Sequence, residues 1–99
     1  MIRTSNFNGR LTIPRDFLDL VKMEASRLLI CKNDNVDGYF LRELTEENIK
    51  NTKIAGLVVM DDKGRIPLES LLKDAKNKEF EIFIYNGDIY FAPKKDSSD

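Results

Sequence analysis

The side chains able to do chemistry in this chain of 99 residues are cations and neutral hydrogen-bond donors. An arginine can bind phosphate or a guanine edge through two parallel hydrogen bonds, and a lysine binds phosphate as a compact charge. The chain has a net charge of −1, yet residues 1–15 carry +3 and residues 50–65 carry +2. The candidate binding side chains in these two segments are Arg3, Thr4, Asn6, Asn8, Arg10, Arg15, Lys53, Lys63 and Arg65.

Other kinds of chemistry lack the residues that they need. The chain contains no histidine, which excludes histidine-based triads, histidine metal ligands and an imidazole acid or base. Its single cysteine, Cys31, cannot build a thiolate zinc site. The adjacent carboxylates at 46–47 and 61–62 are typical of helix starts and turns. We therefore expect neither an enzyme, nor a metal site, nor a bound cofactor.

The composition indicates a globular protein, with 41% apolar and 33% charged residues. No apolar stretch approaches the roughly 20 residues that a membrane span needs, so no membrane association is expected. Residues 1–6 have no apolar core or cleavage site of a secretory signal, and a lone cysteine cannot form an internal disulfide. These observations predict a cytoplasmic protein.

A short sequence occurs twice in the chain, as NGRLTIP at residues 8–14 and as KGRIP at residues 63–67. The second copy is two residues shorter between its Gly-Arg and Ile-Pro pairs. Each copy is followed by a short amphipathic stretch and two apolar runs around a turn. Because one copy alone buries too little apolar surface, we expect both to share one core. The predicted layout is a single domain (1–93) with repeat 1 (1–43), a connector (44–54) and repeat 2 (55–93), followed by a disordered tail (94–99).

The secondary structure predicted from these patterns is mainly β with short helices. Four glycine-containing turns, at 8–9, 37–38, 63–64 and 86–87, predict four hairpins. Pro14 and Pro67 are each expected to open a helix, because proline suits the first helical turn. Thr45 is expected to cap a further helical turn that bridges the repeats. The apolar runs at 28–31 and 80–84 are expected to be covered on both faces.

This order of elements, repeated twice, resembles the AbrB, SpoVT and MazE family of bacterial swapped-hairpin transcription factors, and the tandem form resembles its MraZ branch. The family motif reads approximately D-x-x-G-R-x-x-I-P, and residues 61–65 fit its acidic start. Asn6 stands where the first copy would have the acid. The resemblance implies a pseudo-twofold, barrel-like fold in which the two repeats exchange β-hairpins. In this chain both repeats lie in one polypeptide.

The same resemblance implies a transcriptional regulator that binds double-stranded DNA on a basic face of the exchanged hairpins, within the cytoplasm at the nucleoid. Arg3 stands where the family has an exposed strand arginine. About four neutralised phosphates would give a slope of log affinity against log salt near −3.6. Such units could associate further into a homo-oligomer.

Two alternatives stay open. In the first, Arg10 and Arg65 contact DNA. In the second, these arginines only fix the hairpins, Arg65 by pairing with Asp61.

The function itself also has an alternative, because the family has basic residues on the helix where this chain has Leu18 and Asp19. A protein-interaction module, or an antitoxin-like module with a protein partner and weak or no DNA binding, is therefore the second functional hypothesis.

Overall fold

The computed structural model describes residues 1–94, and within them the chain is mainly β with two short helices, as predicted. The predicted tail thus lies outside the described residues from residue 95 onward. Neither helix is long and apolar enough to cross a membrane. The elements are β1 (Ile2–Thr4), β2 (Arg10–Thr12), α1 (Arg15–Leu20), β3 (Arg27–Lys32), β4 (Tyr39–Glu43), α2 (Glu46–Asn51), β5 (Lys53–Val59), β6 (Arg65–Pro67), β7 (Glu79–Tyr85) and β8 (Asp88–Pro93).

Six strands form one antiparallel sheet in the order β1-β7-β8-β4-β3-β5, and β2 pairs with β6 in a separate two-stranded sheet. The large sheet ends at β1 on one side and at β5 on the other. It is therefore an open sheet, and the expectation of a barrel is wrong. The physical reason is that β2 and β6 hydrogen-bond to each other and do not join the two edges.

The leading strand of each half of the chain pairs with a strand of the other half. β1 pairs with β7, where Arg3 lies opposite Phe80, and β5 pairs with β3, where Leu57 lies opposite Leu29. The β2–β6 pair is also formed between the halves. The two halves are thus joined by four strand pairings, these three and the pairing of β4 with β8.

Two of the four predicted hairpins form. The 37–38 turn joins β3 to β4, and the 86–87 turn joins β7 to β8. Asn86 and Gly87 both have positive φ, 50° and 79°, as a two-residue turn between twisted strands requires. The turns at residues 8–9 and 63–64 do reverse the chain, but the strands on either side of them enter different sheets. The pairings between the halves replace these two hairpins.

α1 follows Pro14 as predicted, whereas the helix predicted after Pro67 is absent. Arg10 lies opposite Pro67 and Thr12 lies opposite Arg65, so Pro67 occupies a strand position equivalent to that of Thr12. The shorter second copy therefore places its proline inside β6. Since that strand belongs to a two-stranded sheet, a residue without an N–H is tolerated there.

The segment after β6 forms isolated turns instead of a helix. The N–H of Leu72 donates to the carbonyl of Leu68 at 2.9 Å, which completes one turn. Beyond it, the Ser5 hydroxyl donates to the carbonyl of Ala75, and the N–H of Asn77 donates to the carbonyl of Asn6 at 3.1 Å. These bonds attach the segment to the first half of the chain in place of further helical turns.

The bridging helix α2 forms with the predicted cap, because the Thr45 hydroxyl accepts from the N–H of Asn48 at 3.1 Å. Below the sheet, one apolar cluster contains residues of both halves, including Leu11, Ile66, Phe80 and Phe91, each fully buried. A smaller cluster covers the opposite face. Its buried members are Leu29, Cys31, Phe40 and Tyr90, so the 28–31 run is covered on both sides as predicted.

Candidate nucleic-acid interface

A groove of about 840 Å³ lies between β1, the start of α1 and the 61–64 turn. Three cationic side chains from the predicted set line it, Arg3, Arg15 and Lys63, together with Thr4. Arg3 and Thr4 come from β1, Arg15 is the first residue of α1, and Lys63 belongs to the second half of the chain. The strand pairings between the two halves are therefore what places these four residues around one concavity. We call them the groove residues.

The three cations of the groove are exposed. Within residues 1–94, none of their side chains forms an ion pair or a hydrogen bond with another side chain. Cationic groups without an internal counter-ion can accept an anion without first breaking a protein contact. Their chemistry suits phosphate, and that of the two guanidinium groups also suits a guanine edge.

The turns that precede β2 and β6 have the same internal bonding. The side-chain oxygen of Asn6 accepts from the N–H groups of Asn8 at 2.9 Å and Arg10 at 3.0 Å. The Asp61 Oδ1 accepts from the N–H groups of Lys63 at 3.0 Å and Arg65 at 2.9 Å. An Asx side chain that holds the backbone ahead of it stabilises a turn locally. Asn6 therefore has a structural role in its turn.

Asp61 also joins the two repeated arginines. Its Oδ2 lies 2.7 Å from Nε of Arg65, and the same oxygen lies 3.5 Å from a terminal nitrogen of Arg10 in the other half. Two hydrogen bonds from Arg65 lower the pKa of the Asp61 carboxyl. The larger contribution comes from the backbone N–H of Arg65, and the smaller one comes from its side chain. In this geometry, Arg65 and Arg10 are held by a carboxylate at the junction of the halves.

Replacing Asp61 by asparagine is expected to destabilise the protein at neutral pH but to matter little in acid. Asparagine retains the oxygen that accepts two backbone N–H groups, as Asn6 does, but loses the charge that faces the arginines. A carboxyl with a lower pKa in the folded chain stabilises the fold above its unfolded pKa of about 4, and this contribution is lost as the pH falls through the folded pKa.

Urea unfolding of wild type and Asp61→Asn between pH 7 and pH 2.5 measures this difference. The midpoints should differ at pH 7 and converge toward the acid end. Asp62→Asn is the matched control, because Asp62 is exposed and forms no ion pair within residues 1–94. Equal midpoints for Asp61→Asn and wild type at pH 7, or a gap that persists at pH 2.5, would refute the assignment.

Lys53 does not join the groove residues. It begins β5 and pairs with Asp34 at 3.3 Å, in an ion pair that is exposed on both sides. Val59, at the other end of the strand, is six positions further along the chain, which is about 20 Å of extended strand. The positive charge of residues 50–65 is thus divided between two places.

Carboxylates in the groove are the feature that the sequence reasoning missed. Glu24, Asp61 and Asp62 line it together with the three cations. The charge of Asp61 is shared with Arg10 and Arg65, whereas Asp62 and Glu24 have no cationic partner in the part of the chain that the structure describes. Glu24 follows α1 in a segment with no repeat and no recognisable motif, so the sequence contained no signal for its position.

Comparison with known protein families, with curated proteins and with solved structures finds no match for this chain. Within residues 1–94, no group of three acidic, cysteine or histidine side chains is arranged to hold a metal ion.

Proposed function

We propose that this chain is a DNA-binding transcriptional regulator with a swapped-hairpin fold of the AbrB type, of the tandem form seen in MraZ. The fold assignment is supported by the strand pairings between the halves, in which β1 pairs with β7 and β5 with β3. The equivalent turns at Asn6 and Asp61 support it as well. On this proposal the protein acts in the cytoplasm, at the nucleoid.

The observation that carries the functional proposal is the placement of Arg3, Arg15 and Lys63 around one groove, with none of the three in an ion pair within residues 1–94. Lys63 binds backbone phosphate, and the two arginines bind phosphate or a guanine edge. Thr4 adds a neutral hydrogen bond. Arg10 and Arg65 have the structural role of holding Asp61 and leave DNA contact to the groove residues.

The number of cations in the groove determines how strongly electrostatic attraction contributes to the affinity for DNA. Because Lys53 lies apart, about three phosphates are neutralised instead of four, and the expected slope of log affinity against log salt is near −2.7. So shallow a slope implies weak non-specific binding. Base contacts or the joining of several copies must then supply the remaining affinity of the regulator for its site.

An anisotropy titration tests the proposal, with labelled duplex from the region upstream of the protein's own coding sequence and a scrambled duplex of equal length. Binding is measured from 50 to 300 mM salt. We expect tighter binding to the upstream duplex and a slope of about −2.7 on the scrambled one. Equal affinity for both duplexes, together with a slope of log affinity against log salt near zero, would refute the proposal of a DNA-binding regulator.

A protein-interaction module is the second candidate function. It is favoured by apolar side chains that are exposed to solvent. Phe7 at the tip of the first turn is 71% exposed and Leu20 at the end of α1 is 70% exposed. Apolar surface left in water is typical of sites that bind other proteins. In this case the titration above gives no DNA binding at any salt concentration.

A further inference from the structure

The strand β5 leaves one of its edges open. It is seven residues long, about 23 Å, and hydrogen-bonds to β3 along one side. It is the last strand in the order of the large sheet, and within residues 1–94 no other strand pairs with its outer side. A row of backbone N–H and C=O groups therefore faces solvent and can pair with another strand.

The side chains of β5 also favour association. Leu57 and Val59 are each 61% exposed, and Ile54 is 42% exposed. Edge strands are usually protected by charges, by proline, by β-bulges or by shortness. β5 has no proline, its only charged residue is Lys53 at its beginning, and its register shift against β3 lies near that same end, between Ile54 and Gly56. The opposite edge, β1, has only three residues and includes Arg3.

We propose that β5 pairs antiparallel with β5 of a second copy of this chain, so that two six-stranded sheets become one continuous sheet across a twofold axis. Charge complementarity selects the orientation. Lys53, whose pair with Asp34 is exposed to solvent, begins the strand, and Asp62, which forms no ion pair within residues 1–94, follows its end. In the antiparallel arrangement the lysine of each copy lies toward Asp62 of the other, whereas a parallel arrangement sets like charges together.

Pairing of β5 with the same strand of a second copy forms a symmetric contact. A contact between identical strands closes after two chains, and Leu57 and Val59 of both copies then cover each other on one face of the sheet. Pairing of β5 with β1 of the next copy would instead create an open chain of molecules. It would offer three residues of pairing in place of seven. This inference does not depend on the DNA-binding proposal.

Sedimentation equilibrium of the full chain from 5 to 500 µM tests the dimer. We expect wild type to approach twice its chain mass of 11.4 kDa, and Leu57→Lys to raise the dimer dissociation constant by about tenfold or more. Leu20→Lys is the matched control, because it changes a leucine of α1 that is at least as exposed as Leu57 and lies outside the large sheet, so it should leave the dissociation constant unchanged. Circular dichroism establishes that each variant is folded.

Hydrogen exchange on wild type supplies a second measurement that needs no variant. The amides of β5 that point away from β3 should become protected as the protein concentration rises. A wild type that stays at 11.4 kDa throughout would overturn the proposal, as would a folded Leu57→Lys that remains dimeric. Masses that continue to grow beyond two chains would overturn it in favour of open β5–β1 association.

Discussion

Leu11→Ala is expected to lower the free energy of unfolding by about 2–5 kcal/mol, a large part of the stability of so small a domain. Leu11 is fully buried, and it is the middle residue of the three-residue strand β2. Its cross-strand partner is Ile66, also fully buried and contributed by the other half of the chain. Truncation at this position leaves a cavity between the halves.

The double-mutant cycle shows whether this contact joins the two halves. Ile66→Ala should cost a similar amount, and the effects of the two substitutions should depart from additivity by about 0.5–3 kcal/mol because the side chains are direct neighbours. Leu20→Ala is the control, since this leucine is 70% exposed and its loss should change the stability by less than about 0.5 kcal/mol. Strict additivity of Leu11→Ala and Ile66→Ala would contradict the shared core.

Removal of the three groove cations is the second prediction with a large effect. The triple variant Arg3→Ala, Arg15→Ala, Lys63→Ala should bind duplex DNA about 100-fold more weakly, or about 2.7 kcal/mol. Its slope of log affinity against log salt should fall toward zero, since each lost phosphate contact removes about 0.9. Anisotropy titrations at two or more salt concentrations provide both values.

Two single variants test whether the affinity for DNA depends on the location of the charges or only on the total charge of the protein. Lys53→Ala removes one cation outside the groove and should change the affinity by less than about twofold, because exposed charges more than a Debye length away are screened. Asp62→Asn removes a carboxylate inside the groove and should tighten binding. If Lys53→Ala weakens binding as much as Arg3→Ala does, the groove is not the DNA site.

Local sequence signals predicted the elements that local forces determine. Pro14 opens α1, Thr45 caps α2 and the 86–87 turn joins β7 to β8, each through contacts a few residues apart. Pro67 carried the same signal as Pro14, but its surroundings differ. Strand β6 pairs with β2, 53 or more positions away along the chain, and this pairing outweighs the local preference of proline for a helix start.

Long-range pairings, which local sequence signals do not reveal, also explain the errors in the predicted barrel and in the predicted site. Whether a sheet closes depends on which strands become its edges, and β1 and β5 became edges through pairings that no short segment encodes. Charge counts grouped Arg3, Arg15 and Lys63 with six other residues, and the strand pairings between the halves place these three around one groove. Lys53 was grouped with Lys63 by sequence alone, although an extended strand separates them.

The most direct test of the central claim is an NMR titration of the labelled full chain with the upstream duplex at low salt. The account predicts that the largest chemical-shift changes fall on the groove residues Arg3, Thr4, Arg15 and Lys63, while the amide of Lys53 stays unchanged. Shift changes centred on Lys53 and β5, or no changes at all on saturation with DNA, would contradict it.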